Sequence, residues 1–319
     1  ALFWDYPCLP QVPRTSEEQT RFNKGLSCLN ILYGHNLSTI LMQTKMPEDW
    51  ASHEPTYEDS GWCFFECCVG SIFKSFGHSI NLKYLDLRGH LDRGKFLEHV
   101  RKGKFNRMVP VHPEVFNKKI DTKIFAAKGT DPQRVKLLYK TTWDDAVSSA
   151  KVLDFSSCEW SADEILRLSK VLPCFLALEH LDLKDNNIRA EGAKHLAAVL
   201  PGSQVQTLNL EDCKIGDEGA KHLAAGLPGS QVQTLQLLGC KIGEEGMKHF
   251  AATIPGSQVQ TLHVWGNRIR HEACKRLFAA IPGNESLSLP SAESFDFGFA
   301  SGNELLSLSS AESSDSDSD

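Results

Sequence analysis

The sequence predicts an α/β protein in three parts: a partial parallel-sheet domain at residues 1–145, a short stack of repeats at residues 146–283, and a disordered tail at residues 284–319. Near-copies of one segment begin 27 residues apart, at Leu178, Val205, Val232 and Val259. Strand-like and helix-like apolar runs alternate before residue 80, as they do in folds with parallel strands. The tail is rich in serine and acidic residues, a composition typical of disorder.

Composition and charge place the protein in a broad class. Of 319 residues, 41% are hydrophobic, and no apolar run approaches the roughly 18 residues that suggest a membrane-spanning helix. Ten cysteines are too few for a disulfide framework in a chain of this length, so we expect a soluble protein in the reducing cytoplasm. The net charge of −6 is unevenly distributed. The tail carries eight acids and no Lys or Arg, whereas residues 83–140 carry 15 basic and 6 acidic residues.

The first part reads as strand, helix, strand, helix. A strand is predicted at residues 1–6, a helix at 16–33, a buried strand at 37–42, and a helix that begins near Trp62. Farther on, the pattern predicts a strand at 84–87, a basic helix at 96–104, and helices at 114–125 and 133–147. The basic run 99–107 has the charge to bind nucleic acid, an anionic membrane or a phosphorylated partner. It has no base-stacking motif, so a solvated helix face is the favoured interpretation.

Short motifs in this part resemble two related families. Tyr57, Ser60, Trp62, Cys63 and Glu66 fit the YxxSxWCxxE motif of plant-type TIR domains, with the segments FWDYPCLPQ and LSTILM before it. The run from Asp5 to Gln11 also resembles the DxxCIxQ signature of heterokaryon-incompatibility domains, which are TIR-like.

The TIR resemblance implies a possible chemistry. It makes NAD a possible substrate, Glu66 the candidate catalytic residue, and Asp5 and Trp62 candidate contacts to NAD. A carboxylate at Glu66 has the chemistry to stabilise positive charge on the ribose as nicotinamide leaves. The chain begins with Ala1, inside a predicted strand, so we expect a fragment that lacks the family's first strand and helix. A purely structural Glu66 is therefore favoured, and the alternative is an NAD hydrolase that uses Glu66 and is regulated by the repeats.

The repeats carry the second resemblance. Each has apolar residues spaced as LxxLxLxx(N/C)xI, and a weaker copy near Leu153 brings their number to five. The pattern and its length resemble the ribonuclease-inhibitor type of leucine-rich repeat. One repeat cannot bury its own leucines, so stacked copies must share a continuous core. One slot per repeat holds a buried polar or thiol side chain, and these residues are Cys158, Asn186, Cys213, Cys240 and Asn267.

Other cysteines and histidines have a structural and a chemical interpretation. Cys63, Cys67 and Cys68 lack a nearby metal-ligand pair or a base, so buried core positions are favoured over a metal site or a nucleophile. His195, His222 and His249 recur once per repeat, and we interpret them as copies of one structural position. No metal site or bound cofactor is predicted.

The strand face of the repeats is the predicted binding surface. Its outward positions are expected to be His180, Asp182, Lys184, Asn209, Glu211, Gln236, Leu238, His263 and Trp265. These change from charged to apolar along the stack, and an exposed Trp265 beside Leu238 is typical of a binding anchor. The sequence therefore predicts a signalling or scaffold protein that binds a protein on its concave face and self-associates or docks through the α/β part.

Overall fold

The computed structural model describes residues 10, 13–35, 37–42, 56–74, 78–81, 107–125 and 127–269. They belong to one compact unit. The predicted strands at 1–6 and 84–87, the basic helix at 96–104, Asp5 and the tail lie outside the described residues.

The first part contains helices α1 (Ser16–Leu26), α2 (Leu29–Gly34), α3 (Gly61–Phe73), α4 (Pro113–Ile120) and α5 (Asp131–Ser149), with strands β1 (Ile40–Met42) and β2 (Ser79–Asn81). The two strands are parallel, with Leu41 opposite Ile80. A capping box between Thr15 and Glu18 begins α1. The single helix predicted at 16–33 is wrong, because it breaks at residues 27–28, where the Ser27 hydroxyl donates to the Lys24 carbonyl.

The repeats form the second part. Their strands are β3 (Val152–Asp154), β4 (His180–Asp182), β5 (Thr207–Asn209), β6 (Thr234–Gln236) and β7 (Thr261–His263). The helices between them are α6 (Ala162–Ser169), α7 (Arg189–Ala197), α8 (Gly216–Gly226) and α9 (Glu244–Thr253). The strands pair in chain order as a five-stranded parallel sheet, which confirms the predicted repeats. In every strand the central leucine is buried.

The predicted polar slot lies at the end of each strand. Asn186 is 3% exposed. Its side-chain amide nitrogen donates to the carbonyls of Phe155 and Leu183, and its side-chain oxygen accepts from the backbone nitrogen of Trp160. The Cys213 and Cys240 thiols donate to carbonyls of the preceding repeat. The slot therefore hydrogen-bonds adjacent repeats to each other as well as filling the core.

The residue before each slot has a positive φ. Asp185 has φ 54° and Asp212 φ 57°, whereas Gly239 and Gly266 have φ 63° and 67°. This left-handed conformation turns the chain out of the strand so that the slot side chain can point inward, and aspartate and glycine adopt it most readily.

The first part covers the beginning of the repeat stack. The ring centroids of Trp143 in α5 and Phe175 lie 5.6 Å apart, and the Trp160 indole donates to the Arg107 carbonyl at 2.7 Å. A single buried cluster runs from α3 and α5 through all five repeats. The leucines of the first repeat are therefore shielded from water by helices instead of by another repeat.

Candidate partner-binding face

The strand face consists of the residues that flank each buried strand leucine, together with the turn residues that follow each strand. Asp182, Asn209, Gln236 and His263 occupy equivalent positions on neighbouring strands. They are half-buried, and His180 is exposed. Because strand side chains alternate, the same backbone that buries the leucines presents these polar groups on the outside.

The half of the strand face nearer the N-terminus is charged and internally bonded. The Asn209 amide donates to the Asp182 carboxylate at 3.1 Å, and Lys184 forms an ion pair with Glu211 at 2.9 Å. The hydrogen bond from Lys184 to Glu211 raises the pKa of the lysine. These contacts link neighbouring repeats, so the charged groups are held in defined positions before any partner arrives.

Acidic groups outnumber basic ones on this half. Asp185 and Asp212 follow β4 and β5, and the Ser157 hydroxyl donates to Asp185 at 3.0 Å. Burial, together with the nearby negative charges of Glu211 and Asp185, raises the pKa of Asp212. An added cation at this position would relieve the repulsion among these carboxylates.

The other half of the strand face is apolar and aromatic. Leu238 and Trp265 are half-buried, so the prediction that Trp265 is an exposed anchor is wrong in its degree of exposure. The Gly239 nitrogen donates to the Trp265 carbonyl at 2.9 Å, which holds the two turns against each other. Among the described residues, no ion pair or side-chain hydrogen bond joins Gln236, Leu238, His263 and Trp265.

Comparison with known protein families gives an independent result. A family model described as Leucine Rich repeat matches residues 178–197 and 205–224. These segments are leucine-rich repeats. They include β4 with α7 and β5 with most of α8, and such repeats are typical of proteins that bind other proteins on an extended surface. No curated protein is significantly similar to the chain.

The candidates from the TIR resemblance lie in the first part, away from the strand face of the leucine-rich repeats. Glu66 is half-buried on α3, and its charge contributes to a raised pKa at Tyr57, for which burial is the larger cause. The Trp62 indole donates to the Asp131 carboxylate at 3.0 Å and packs edge-on against Phe65. Trp62 therefore joins α3 to α5. NAD cleavage by Glu66 stays a prediction, as does the TIR-like assignment.

The cysteines at 63, 67 and 68 lie on α3, and the repeat histidines lie on α7, α8 and α9. Cys68 is buried, and Cys63 and Cys67 are half-buried. His195 and His222 lie 3.6 and 3.5 Å from Glu191 and Glu218, one turn earlier on α7 and α8. No group of residues suited to hold a metal ion occurs in the part of the chain that the structure describes. Within that part, moreover, no helix combines the length and apolar character needed to cross a bilayer.

Two buried cations were not identified from the sequence. Arg107, placed in a solvated basic run, is only 5% exposed, so that prediction is wrong for this residue. Its guanidinium donates to the carbonyls of Ser71, Ile72 and Asp154. Lys74, at the end of α3, is fully buried and donates to the Ser38 carbonyl at 2.6 Å. Their acceptors lie more than 30 residues away in sequence, and a run of basic residues gives no signal of such distant carbonyls.

Proposed function

We propose that the strand face of the leucine-rich repeats binds a protein segment that presents basic side chains next to apolar ones. The observation that carries the proposal is the division of this face into an acidic half and an apolar half on one rigid sheet. The inter-repeat contacts of Asp182, Lys184, Asn209 and Glu211 hold the acidic half in place. Rigid presentation lowers the entropic cost of binding.

The charge balance defines the partner. Lys184 is paired with Glu211, and Asp182, Asp185 and Asp212 remain as excess negative charge on the same half. A Lys or Arg of the partner would lie among these carboxylates. An aliphatic or aromatic side chain would cover Leu238 and Trp265, since central aromatic residues contribute most of the affinity in many interfaces.

The test is a selection of binders from a random peptide-display library against the full chain. The selected peptides should be enriched in adjacent basic and apolar residues. Charge reversal by Asp182→Lys should weaken their binding about tenfold, and Trp265→Ala about thirtyfold. Lys221→Glu, on the outer surface of α8, serves as a control. It reverses a charge away from the strand face, from positive to negative, and should leave affinity unchanged.

Two outcomes would contradict this function. Peptides that bind Asp182→Lys and Trp265→Ala as tightly as the unmodified chain would place the binding surface elsewhere. If the peptides lost affinity for the Lys221→Glu variant, the binding surface would lie on the helices.

A further inference from the structure

A cavity lies between the first part and the first repeat helix. It encloses about 380 Å³, and its walls are the extended segment 107–112, one side of α4, and residues of α6 together with Lys170 and Val171 just after it. That volume is within the range of small-molecule sites in proteins. The cavity is separate from the strand face and from Glu66.

The wall formed by residues 107–112 is fixed along its length. Arg107 donates to three backbone carbonyls, and its own carbonyl accepts from Trp160. Toward the other end, the Tyr139 hydroxyl donates to the Val111 carbonyl at 2.6 Å. His112 then begins α4, with its ring 5.7 Å from Trp143. The cavity is therefore pre-formed by packing and does not depend on a ligand to shape it.

The lining is apolar inside and basic at the edge. The apolar residues that line the cavity are Met108, Val109, Pro110, Val111, Val115 and Val171. Lys119, Arg167 and Lys170 are exposed basic residues of the same lining. The single acidic residue of the lining, Glu164, accepts from the Ser161 hydroxyl at 2.6 Å and pairs with Arg167 at 2.8 Å. Glu164 and Arg167 therefore offset each other.

Two lysines then give the edge its net charge. Neither Lys119 nor Lys170 forms an ion pair with another residue of the described ranges, and the Lys119 ammonium lies 5.9 Å from the Phe64 ring centroid. An apolar interior excludes hydrated ions, whereas two lysines at its edge favour a negative group. A ligand that satisfies both must have an apolar body and an anionic end.

We propose that this cavity binds a small single-chain amphiphile with a carboxylate or phosphate head. The chain lies along Val109, Val111 and Val171, and the head lies near Lys119 and Lys170. The volume accommodates a medium-length chain and is too small for a folded partner.

The experiment is calorimetric titration of the full chain with decanoate and with decyl phosphate, each below its micelle concentration. Saturable binding of one molecule is expected, and each methylene removed from the chain should weaken it about threefold to fourfold. Comparison of the two heads identifies the anion that the site prefers. Decanol and acetate, which lack the charge and the chain respectively, should both bind far more weakly.

Variants locate the site. The double substitution Lys119→Glu and Lys170→Glu should weaken decanoate binding at least about tenfold. Val115→Trp fills the cavity from a position that is 47% exposed, so it should abolish binding without unfolding the chain. Lys118→Glu with Lys128→Glu makes the same charge change outside the lining and should have no effect. Thermal unfolding of each variant verifies that it is folded.

Several results would overturn the inference. Equal decanoate affinity in all variants would place the ligand elsewhere, and acetate binding as tight as that of decanoate would mean a simple anion site. Association with anionic phospholipid vesicles, in the absence of any binding to dissolved decanoate or decyl phosphate, would assign the basic edge to a membrane surface.

Discussion

At the scale of single residues, the slot side chains do more than fill space. Asn186 hydrogen-bonds backbone groups of two repeats: the carbonyls of Phe155 and Leu183 and the backbone nitrogen of Trp160. The Leu183 carbonyl also accepts from the Cys213 thiol. A buried polar backbone group that loses its partner costs as much as a lost hydrogen bond or more. In the equivalent slots the Cys213 and Cys240 thiols donate to the Leu183 and Leu210 carbonyls, and a thiol is a weaker hydrogen-bonding group than the amide of Asn186.

Asn186→Ala should therefore lower the free energy of unfolding by about 3 kcal/mol, because it removes the side-chain partner of the Phe155 carbonyl and of the Trp160 backbone nitrogen. Denaturant unfolding measures the change. Asn187→Ala removes only an acceptor for Arg189 at the surface, and should cost less than about 0.5 kcal/mol. Equal effects of the two substitutions would mean that the slot hydrogen bonds contribute nothing specific.

Cys240 provides a prediction about pH. Burial raises the pKa of its thiol to about 12, and the thiol donates to the Leu210 carbonyl at 2.9 Å. In the unfolded chain a cysteine loses its proton near pH 8.5. Between these two pH values the unfolded state has released the proton and the folded state has kept it, so stability falls as pH rises, by about 1.4 kcal/mol per pH unit.

Cys240→Ala removes this contribution. It should be less stable than the unmodified chain at pH 7, and the difference should narrow steadily above pH 8.5, as measured by urea unfolding at pH 7, 9 and 10. The two chains must be compared with each other because Lys74 also titrates in this range. Burial lowers the pKa of Lys74 to about 8, so its contribution to total stability rises with pH, opposite to that of Cys240. Cys28→Ala, at an exposed position, is the control. A difference that does not change with pH would contradict the prediction.

At the scale of elements, α7, α8 and α9 each carry a glycine close to the preceding helix. A side chain at Gly219 in α8 would place a Cβ atom 2.4 Å from the Ile215 methyl and 3.1 Å from the Ala190 backbone of α7. Gly192 and Gly246 occupy the same position in α7 and α9. At all three positions an added Cβ would lie 2.4–2.7 Å from a methyl of the isoleucine four residues earlier, so contacts within the repeat as well as between helices favour glycine.

Gly219→Ala should therefore destabilise the chain by about 1–2 kcal/mol, since the overpacking exceeds the gain in helix propensity. Differential scanning calorimetry gives the change in Tm. Gly202→Ala is the matched control, because no atom lies within 4 Å of its Cβ position. If Gly219→Ala raised the Tm, helix propensity would outweigh packing, and the glycine positions would not limit the stacking.

The elements also show what sequence periodicity can predict. The 27-residue copies predicted the five strands and the slot residues because each repeat buries the same positions against its neighbours. The break after α1 and the end of α4 at Ile120 were missed, because local side-chain and turn hydrogen bonds decide them. Arg107 and the adjacent cavity were missed because they depend on carbonyls of α3 and β3, which are remote in sequence.

At the scale of the whole molecule, one buried core runs across the predicted boundary at residue 145. Arg107 lies at the centre of this junction. It joins α3 to β3 through backbone carbonyls, its guanidinium lies 4.6 Å from the Phe155 ring centroid, and burial lowers its pKa to about 10. Trp160, fully buried in the first repeat, stacks on the same ring at 4.6 Å.

Arg107→Ala should cost about 3 kcal/mol or more, because it leaves three buried carbonyls without their donor. Since one core spans the junction, loss of this contact should accelerate amide hydrogen exchange in α3, α5 and the first repeat together. Exchange followed by mass spectrometry measures it, and Arg21→Ala, which removes an exposed pair with Glu17, serves as the control. Faster exchange confined to α3 would mean that the first part and the repeats open independently. A joint response would make the first part an integral end of the repeat stack, so that substitutions there change the rigidity of the strand face.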